Sequence, residues 1–297
     1  MNHRRGLAIT AIGGLLFTLD VPLLRLAAGD QWTMIFARGI FLATAISLWW
    51  VIFRKRSGES MPFINGWPGA IVALTNTIAN IMFIAAVTKT TAANLVFILA
   101  LNPIFCAIIG WLFLRERMAF VVWASIALSL FGVCIIVWDG LSTGTYLGDS
   151  LAVGVALCTA IGLTVVRHSG RNVIPSLAVG SLASAMVAYV FLGANPSSLS
   201  MESWGWLALN GLLVIPFASG LIALGPKYIP APEVAMFFLL DTVFTPLWIW
   251  LIFGELPTFN AFCGGVIIFL TLLALGIWRL AGRPSLEAET TVPPHPV

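Results

Sequence analysis

Charge is what this sequence holds least of. Asp, Glu, Lys and Arg make up 9% of its 297 residues and 60% are hydrophobic, whereas soluble globular domains are about 25% charged. That balance excludes a water-soluble domain and marks an integral membrane protein. Histidine is nearly missing: His3, His168 and His295 stand at the periphery, so no cluster with metal-ligand spacing and no Ser/His or Cys/His pair is in prospect. Neither metal nor cofactor is implied, and without positioned acid and base groups an enzyme is not indicated. Cys106, Cys134, Cys158 and Cys263 all fall inside apolar runs, where they read as small core residues rather than disulfide partners. A Walker-type GxxxxGKS/T loop is absent, so the chain does not itself use ATP, and no ATPase subunit is implied. Alternating segments of about ten residues are also missing, which disfavours a β-barrel. The net charge of +3 is scattered along the chain and leaves no nucleic-acid footprint.

What the chain has in abundance is long apolar runs. A helix needs about 20 residues, at about 1.5 Å each, to cross the hydrocarbon of a bilayer. Ten such segments are read at 6–28, 31–53, 67–88, 92–114, 119–138, 148–167, 174–194, 204–224, 231–253 and 259–280. Buried backbone leaves helices as the solution, so the fold class is an all-α integral membrane protein with ten transmembrane helices. Arg4, Arg5, Arg54, Lys55, Arg56, Arg115, Arg117, Arg167, Arg171, Lys227, Arg279 and Arg283 fall on alternate connections, which places both termini in the cytoplasm. The polar tail 283–297 is expected to be disordered.

An internal repeat follows from an ungapped shift of 139 residues, which lays 91–118 over 230–257. Ala92 falls on Ala231, Phe105 on Phe244, Trp111 on Trp250 and Glu116 on Glu255, while Arg115 and Arg117 become Gly254 and Leu256. Five spans separate the copies, so the second is upside down and its equivalent loop lies outside, where Arg is disfavoured. The predicted halves are 1–140 and 145–282, two inverted five-helix repeats. Such halves can exchange conformations around a midplane site, which is transport by alternating access.

The ordered set "FARGIFLATAI", "TTAANLVFILALNP", "WLFLRERM" and "IFGELPTF" resembles the drug/metabolite transporter superfamily, of the ten-helix inner-membrane type called EamA-like. Within it the pattern is similar to bacterial exporters of aromatic amino acids. The chain departs from the family at Arg115, where Gly is commoner. The resemblance implies a multi-pass protein of the bacterial inner membrane that moves small molecules.

Polar residues deep in the spans nominate the site. Asn102 lies ten residues past Ala92 and its repeat mate Asp241 ten past Ala231, both about 15 Å deep. An intramembrane Asp costs about 2.5–3.5 kcal/mol on the insertion scale unless it is satisfied or faces water. Helical spacing adds Asn94 above Asn102, and Glu233 and Phe237 above Asp241. Asn76, Asn80 and Phe83 on the third span and Asn210 and Phe217 on the eighth complete the expected chamber. Amides and one carboxylate would hold an amino acid's charged ends while Phe83, Phe217 and Phe237 take its side chain.

Alternatives stand beside these roles. The Asn residues would also serve as interhelical glue, worth about 0.6 kcal/mol each. Pro22, Pro103 and Pro246 are either hinges or plain architecture. Asp20 and Arg38 lie at similar depths on consecutive helices, either as a neutralising ion pair or with Asp20 titrating in a proton-coupled cycle. Glu233 either joins that coupling or caps a helix start. The leading expectation is export of amino acids; efflux of lipophilic or quaternary ammonium cations is the other, drawn by Asp20, Glu233 and Asp241 and by aromatic faces.

Overall fold

The computed structural model describes residues 2–57, 62–114, 120–169, 173–224 and 239–280; Glu233, Phe237 and the tail 283–297 lie outside them. Helices alone make up the regular structure of the described residues. In chain order they are α1 (Asn2–Phe17), α2 (Asp20–Ala27), α3 (Gln31–Ser57), α4 (Gly66–Lys89), α5 (Ala92–Leu99), α6 (Asn102–Leu114), α7 (Phe120–Thr143), α8 (Tyr146–Ser169) and α9 (Ile174–Phe191). Then come α10 (Met201–Ala208), a π-helical turn (Leu209–Val214), α11 (Ile215–Leu224), α12 (Leu239–Phe253) and α13 (Phe259–Leu280). Among the described residues seven stretches are long and apolar enough to cross a membrane, and three shorter apolar helices, Trp123–Gly132, Val243–Phe253 and Phe259–Thr271, accompany them.

Two spans drawn as single helices from sequence are broken. The first parts at Thr18 and Leu19. Pro22 has no N–H, so the Thr18 carbonyl lacks its donor four residues on, and the chain tightens there with Leu19 N–H bonding Leu16 O at 3.2 Å. The fourth parts at Ala100 and Leu101, just before Pro103 at the second position of α6. Leu101 N–H turns to Ile98 O at 3.0 Å and Ile104 N–H to Leu101 O at 2.8 Å. Pro246 behaves differently, lying inside α12 without interrupting it.

The segments pair in a regular scheme. The first (α1, α2) packs on the eighth (α10 to α11), and the sixth (α8) on the third (α4). The fourth packs on the sixth through α6, and the ninth (α12) on the first through α1. The second pairs with the seventh (α3 with α9), the fourth with the ninth (α5 with α12) and the fifth with the tenth (α7 with α13). Exchanging each of these segments with the one five places away returns these pairings, while the contacts of the fourth with the tenth (α5 with α13), the fifth with the sixth (α7 with α8) and the second with the third (α3 with α4) have no such mate among the described residues. Glycines permit the closest approaches: a Cβ on Gly39 of α3 would stand 2.6 Å from the Ser181 carbonyl of α9, and one on Gly132 of α7 2.9 Å from the Gly264 carbonyl of α13.

One end of the bundle gathers the connections at 28–30, 89–91, 144–145, 192–200 and 254–258. Asn195 N–H donates to Thr33 Oγ1, in the first turn of α3, at 3.1 Å. Arg25 ties three more elements together there, donating from Nη1 to Glu255 Oε2 at 2.7 Å and from Nη2 to the Thr90 carbonyl at 2.6 Å.

Candidate functional site

A buried polar cluster is built on the first break and the π-turn. Asp20 opens α2 directly after the gap at Thr18 and Leu19, which turns its carboxylate toward α3. There Arg38 Nη2 donates to both Asp20 oxygens, at 2.9 and 3.1 Å. Arg38 Nε donates to Asn210 Oδ1 at 3.2 Å and Nη1 to Asn80 Oδ1 at 3.4 Å. Asn210, fully buried in the π-turn, closes the ring by donating to Asp20 Oδ1 at 2.7 Å. Phe83 lies against the guanidinium, its ring centre 4.9 Å from Arg38 Cζ. Four spans thus meet at one charge pair. A π-turn is where helices often place functional groups, and here it sets Asn210 between the two charges. The space among Ile35, Arg38, Gly39, Asn80 and Ile84 has no room for water, so the hub is a packed joint rather than a cavity.

Asn76 belongs to a different contact. Its amide donates to the Leu177 carbonyl at 3.1 Å and to Ser181 Oγ at 3.2 Å, both on α9. Asn80 touches the same Ser181 Oγ at 3.4 Å. These amides bind α4 to α9.

Asn94 and Asn102 stand on two helices, α5 and α6, rather than on one unbroken helix. The gap at Ala100 and Leu101 separates α5 from α6, so the register does not carry through. Asn94 is buried against α8, donating to Asp149 Oδ1 and Oδ2 at 3.3 and 3.4 Å. Thr90 donates to the same carboxylate, and Thr145 Oγ1 does so at 3.2 Å. Asn102 is half-buried and accepts from Cys106 Sγ at 3.3 Å. Asp149 stands at the start of the sixth segment and is not among the site residues nominated from sequence; α8 starts at Tyr146 and draws it fully inside.

Phe217, on α11, is 50% exposed, and no described contact links it to the Arg38 hub. Asp241 sits in the first turn of α12, with Thr245 Oγ1 2.5 Å from its Oδ1. Among the described residues no Lys or Arg forms an ion pair with it. Thr245 also reaches the Thr18 carbonyl at 2.9 Å, and Trp248 Nε1 donates to Thr18 Oγ1 at 3.0 Å. Neither Thr18 nor Thr245 stood out in the sequence, because helical Thr hydroxyls usually satisfy themselves one turn back. Beyond α12, an apolar cavity of about 290 Å³ opens between α12 and α13, with Phe97 of α5, Pro246, Trp250 and Phe262 in its lining.

Comparison with known proteins places these features. No curated protein matches the chain. A solved crystal structure, described only as that of a protein, shares the fold with a TM-score of 0.64 at 13% identity, covering 92% of this chain and 98% of its own. The model of the EamA-like transporter family matches twice, at residues 5–138 and again at 146–277. Two family repeats over an all-helical membrane chain leave one assignment: the protein belongs to the EamA-like transporter family, within the drug/metabolite transporter superfamily.

Proposed function

We propose that this transporter exports amino acids, aromatic and other hydrophobic ones first, across the bacterial inner membrane by alternating access between two inverted halves, residues 1–140 and 145–282. The observation that carries the substrate class is the pairing state of the two deep carboxylates. Asp20 is neutralised by Arg38 at 2.9 Å, whereas Asp241 has no protein cation in ion-pair range among the described residues. A lone carboxylate at membrane depth is costly, and an ammonium group from the cargo offsets that cost. The half-buried Asn102 engages only its Oδ1 in described contacts, leaving its amide N–H groups for the cargo's carboxylate. The seven segment pairings that map onto one another across five places support inverted halves, and the basic connections support cytoplasmic termini. On that orientation the Arg25 end faces outward.

The same carboxylate, without an ion-pair partner among the described residues, favours a second reading, efflux of lipophilic or quaternary ammonium cations, which need no partner for a carboxylate. Flux into proteoliposomes of purified protein separates the two, using labelled tryptophan, threonine, lysine and a quaternary ammonium ion. Saturable tryptophan flux that falls at least tenfold in both Asp241→Asn and Asn102→Ala is the expected result. Wild-type rates in both variants would remove the proposed site, and flux of the quaternary ion alone would replace the substrate.

A further inference from the structure

Counting protons around Thr245 leads beyond the cargo. A threonine hydroxyl has one proton to donate, yet Thr245 Oγ1 faces two acceptors, Asp241 Oδ1 at 2.5 Å and the Thr18 carbonyl at 2.9 Å. The Thr18 carbonyl has no intrahelical donor because Pro22 stands four residues on. Thr18's own hydroxyl cannot help: it donates to Leu15 O at 2.7 Å and accepts from Trp248 Nε1 at 3.0 Å. With Asp241 ionised, one of the two acceptors goes without a proton. With Asp241 protonated, its O–H donates to Thr245 and Thr245 donates to Thr18, so every group is satisfied.

We infer that Asp241, Thr245 and the Thr18 carbonyl form a proton-binding site that couples the charge of α12 to the break in the first span. Binding forms one O–H bond on an Asp241 oxygen from a water-borne proton, and nothing is oxidised or reduced. The protonated site latches α12 to the end of α1. Losing the proton swings the Thr245 hydroxyl to the carboxylate and frees the Thr18 carbonyl, which releases the latch. Latching therefore belongs to the acid side of the titration and release to the alkaline side.

The surroundings leave Asp241 as the titrating group. It is the one ionisable residue of α12, and α5 has none. From Gly6 to Phe17 α1 has none either, and α13 contributes Cys263 and, near its far end, Arg279. On α2, Asp20 is held by Arg38 and Arg25 by Glu255. Glu233 precedes α12 outside the described residues.

This inference rests on the alternating-access reading, so its test avoids cargo. Infrared difference spectra of the substrate-free protein in liposomes, titrated with pH, should show a protonated-carboxyl carbonyl band. That band should be lost in Asp241→Asn and kept in Asp20→Asn. Spin labels at Ile12 and Val243, exposed on α1 and α12, should give one short distance in acid and a second, longer one above the band's midpoint. Pro22→Ala supplies the missing N–H to Thr18, and Thr245→Val removes the shared hydroxyl; both should keep the band and lose the distance response. A wild-type protein without a titrating band overturns the inference, as does a band unchanged in Asp241→Asn, a pH-independent distance, or a response to sodium in place of protons. Absent amino-acid flux with the band intact would sink the substrate reading alone; intact flux without the band would sink this one alone.

Discussion

Asp20 and Arg38 show what a charge pair is worth when water is kept away. Their side chains are 13% and 7% exposed, and breaking a buried pair costs about 3–5 kcal/mol because the survivor stays charged without a partner. Asp20→Asn and Arg38→Gln should each lower the midpoint of thermal unfolding in detergent by several degrees, and the double variant should lose less than the two losses added. Strict additivity in that cycle would show that the pair does not couple. The pair was legible in the sequence because two opposite charges at like depth in consecutive spans have few other ways to be neutral. Asp149 was not legible, since it lies at a span boundary and a shift of two residues in the start of α8 decides between water and protein. Its partners Thr90 and Asn94 come from one distant place in the chain and Thr145 from one turn before it, and no local pattern announces the distant meeting.

Helix breaks follow proline only where the neighbourhood lets them. Pro22 and Pro103 each stand just after a break, while Pro246 passes inside α12. The missing donor is common to all three, so the sequence locates the candidates; whether the helix parts depends on packing that periodicity does not record. The break before Pro103 puts Asn94 and Asn102 on separate helices, so spacing of four and eight residues, which implies one face only in an unbroken helix, does not by itself relate them. Pro103→Ala returns an N–H to the Leu99 carbonyl. The variant should show slower amide exchange at Ala100, Leu101 and Ile104, higher thermal stability, and flux reduced several-fold. Faster exchange there would mean that neighbouring contacts, not the proline, make the break. The π-turn at Leu209–Val214 has no such marker of its own, although Pro216 lies two residues beyond it; a widened turn depends on which groups the buried Asn210 must reach.

At the scale of the whole bundle, Arg25 is one of the fastenings of the end that gathers the connections, beside the Asn195–Thr33 and Thr90–Asp149 bonds. Arg25 and Glu255 are 17% and 49% exposed, and a pair so open to solvent is worth about 0.2–1 kcal/mol. The bond from Arg25 to the Thr90 carbonyl adds a charge-assisted contact of about 1.5–3 kcal/mol. That is enough to hold an end shut and small enough to release within a transport cycle. In proteoliposomes, Arg25→Gln should raise accessibility from that end, seen as faster labelling by a membrane-impermeant thiol reagent of a cysteine introduced at Asn102. Unchanged labelling would show that the end is sealed by something else.

A fastened end also sets prices that differ across the membrane for the same cargo. A site that is open to one face for only a fraction of the time binds from that face with an apparent dissociation constant larger by the inverse of that fraction. A fastening of about 1.4 kcal/mol would make the two faces differ about tenfold in apparent affinity. Without any energy input, such a carrier still runs downhill both ways, but it fills at low concentration from one side and empties readily into the other.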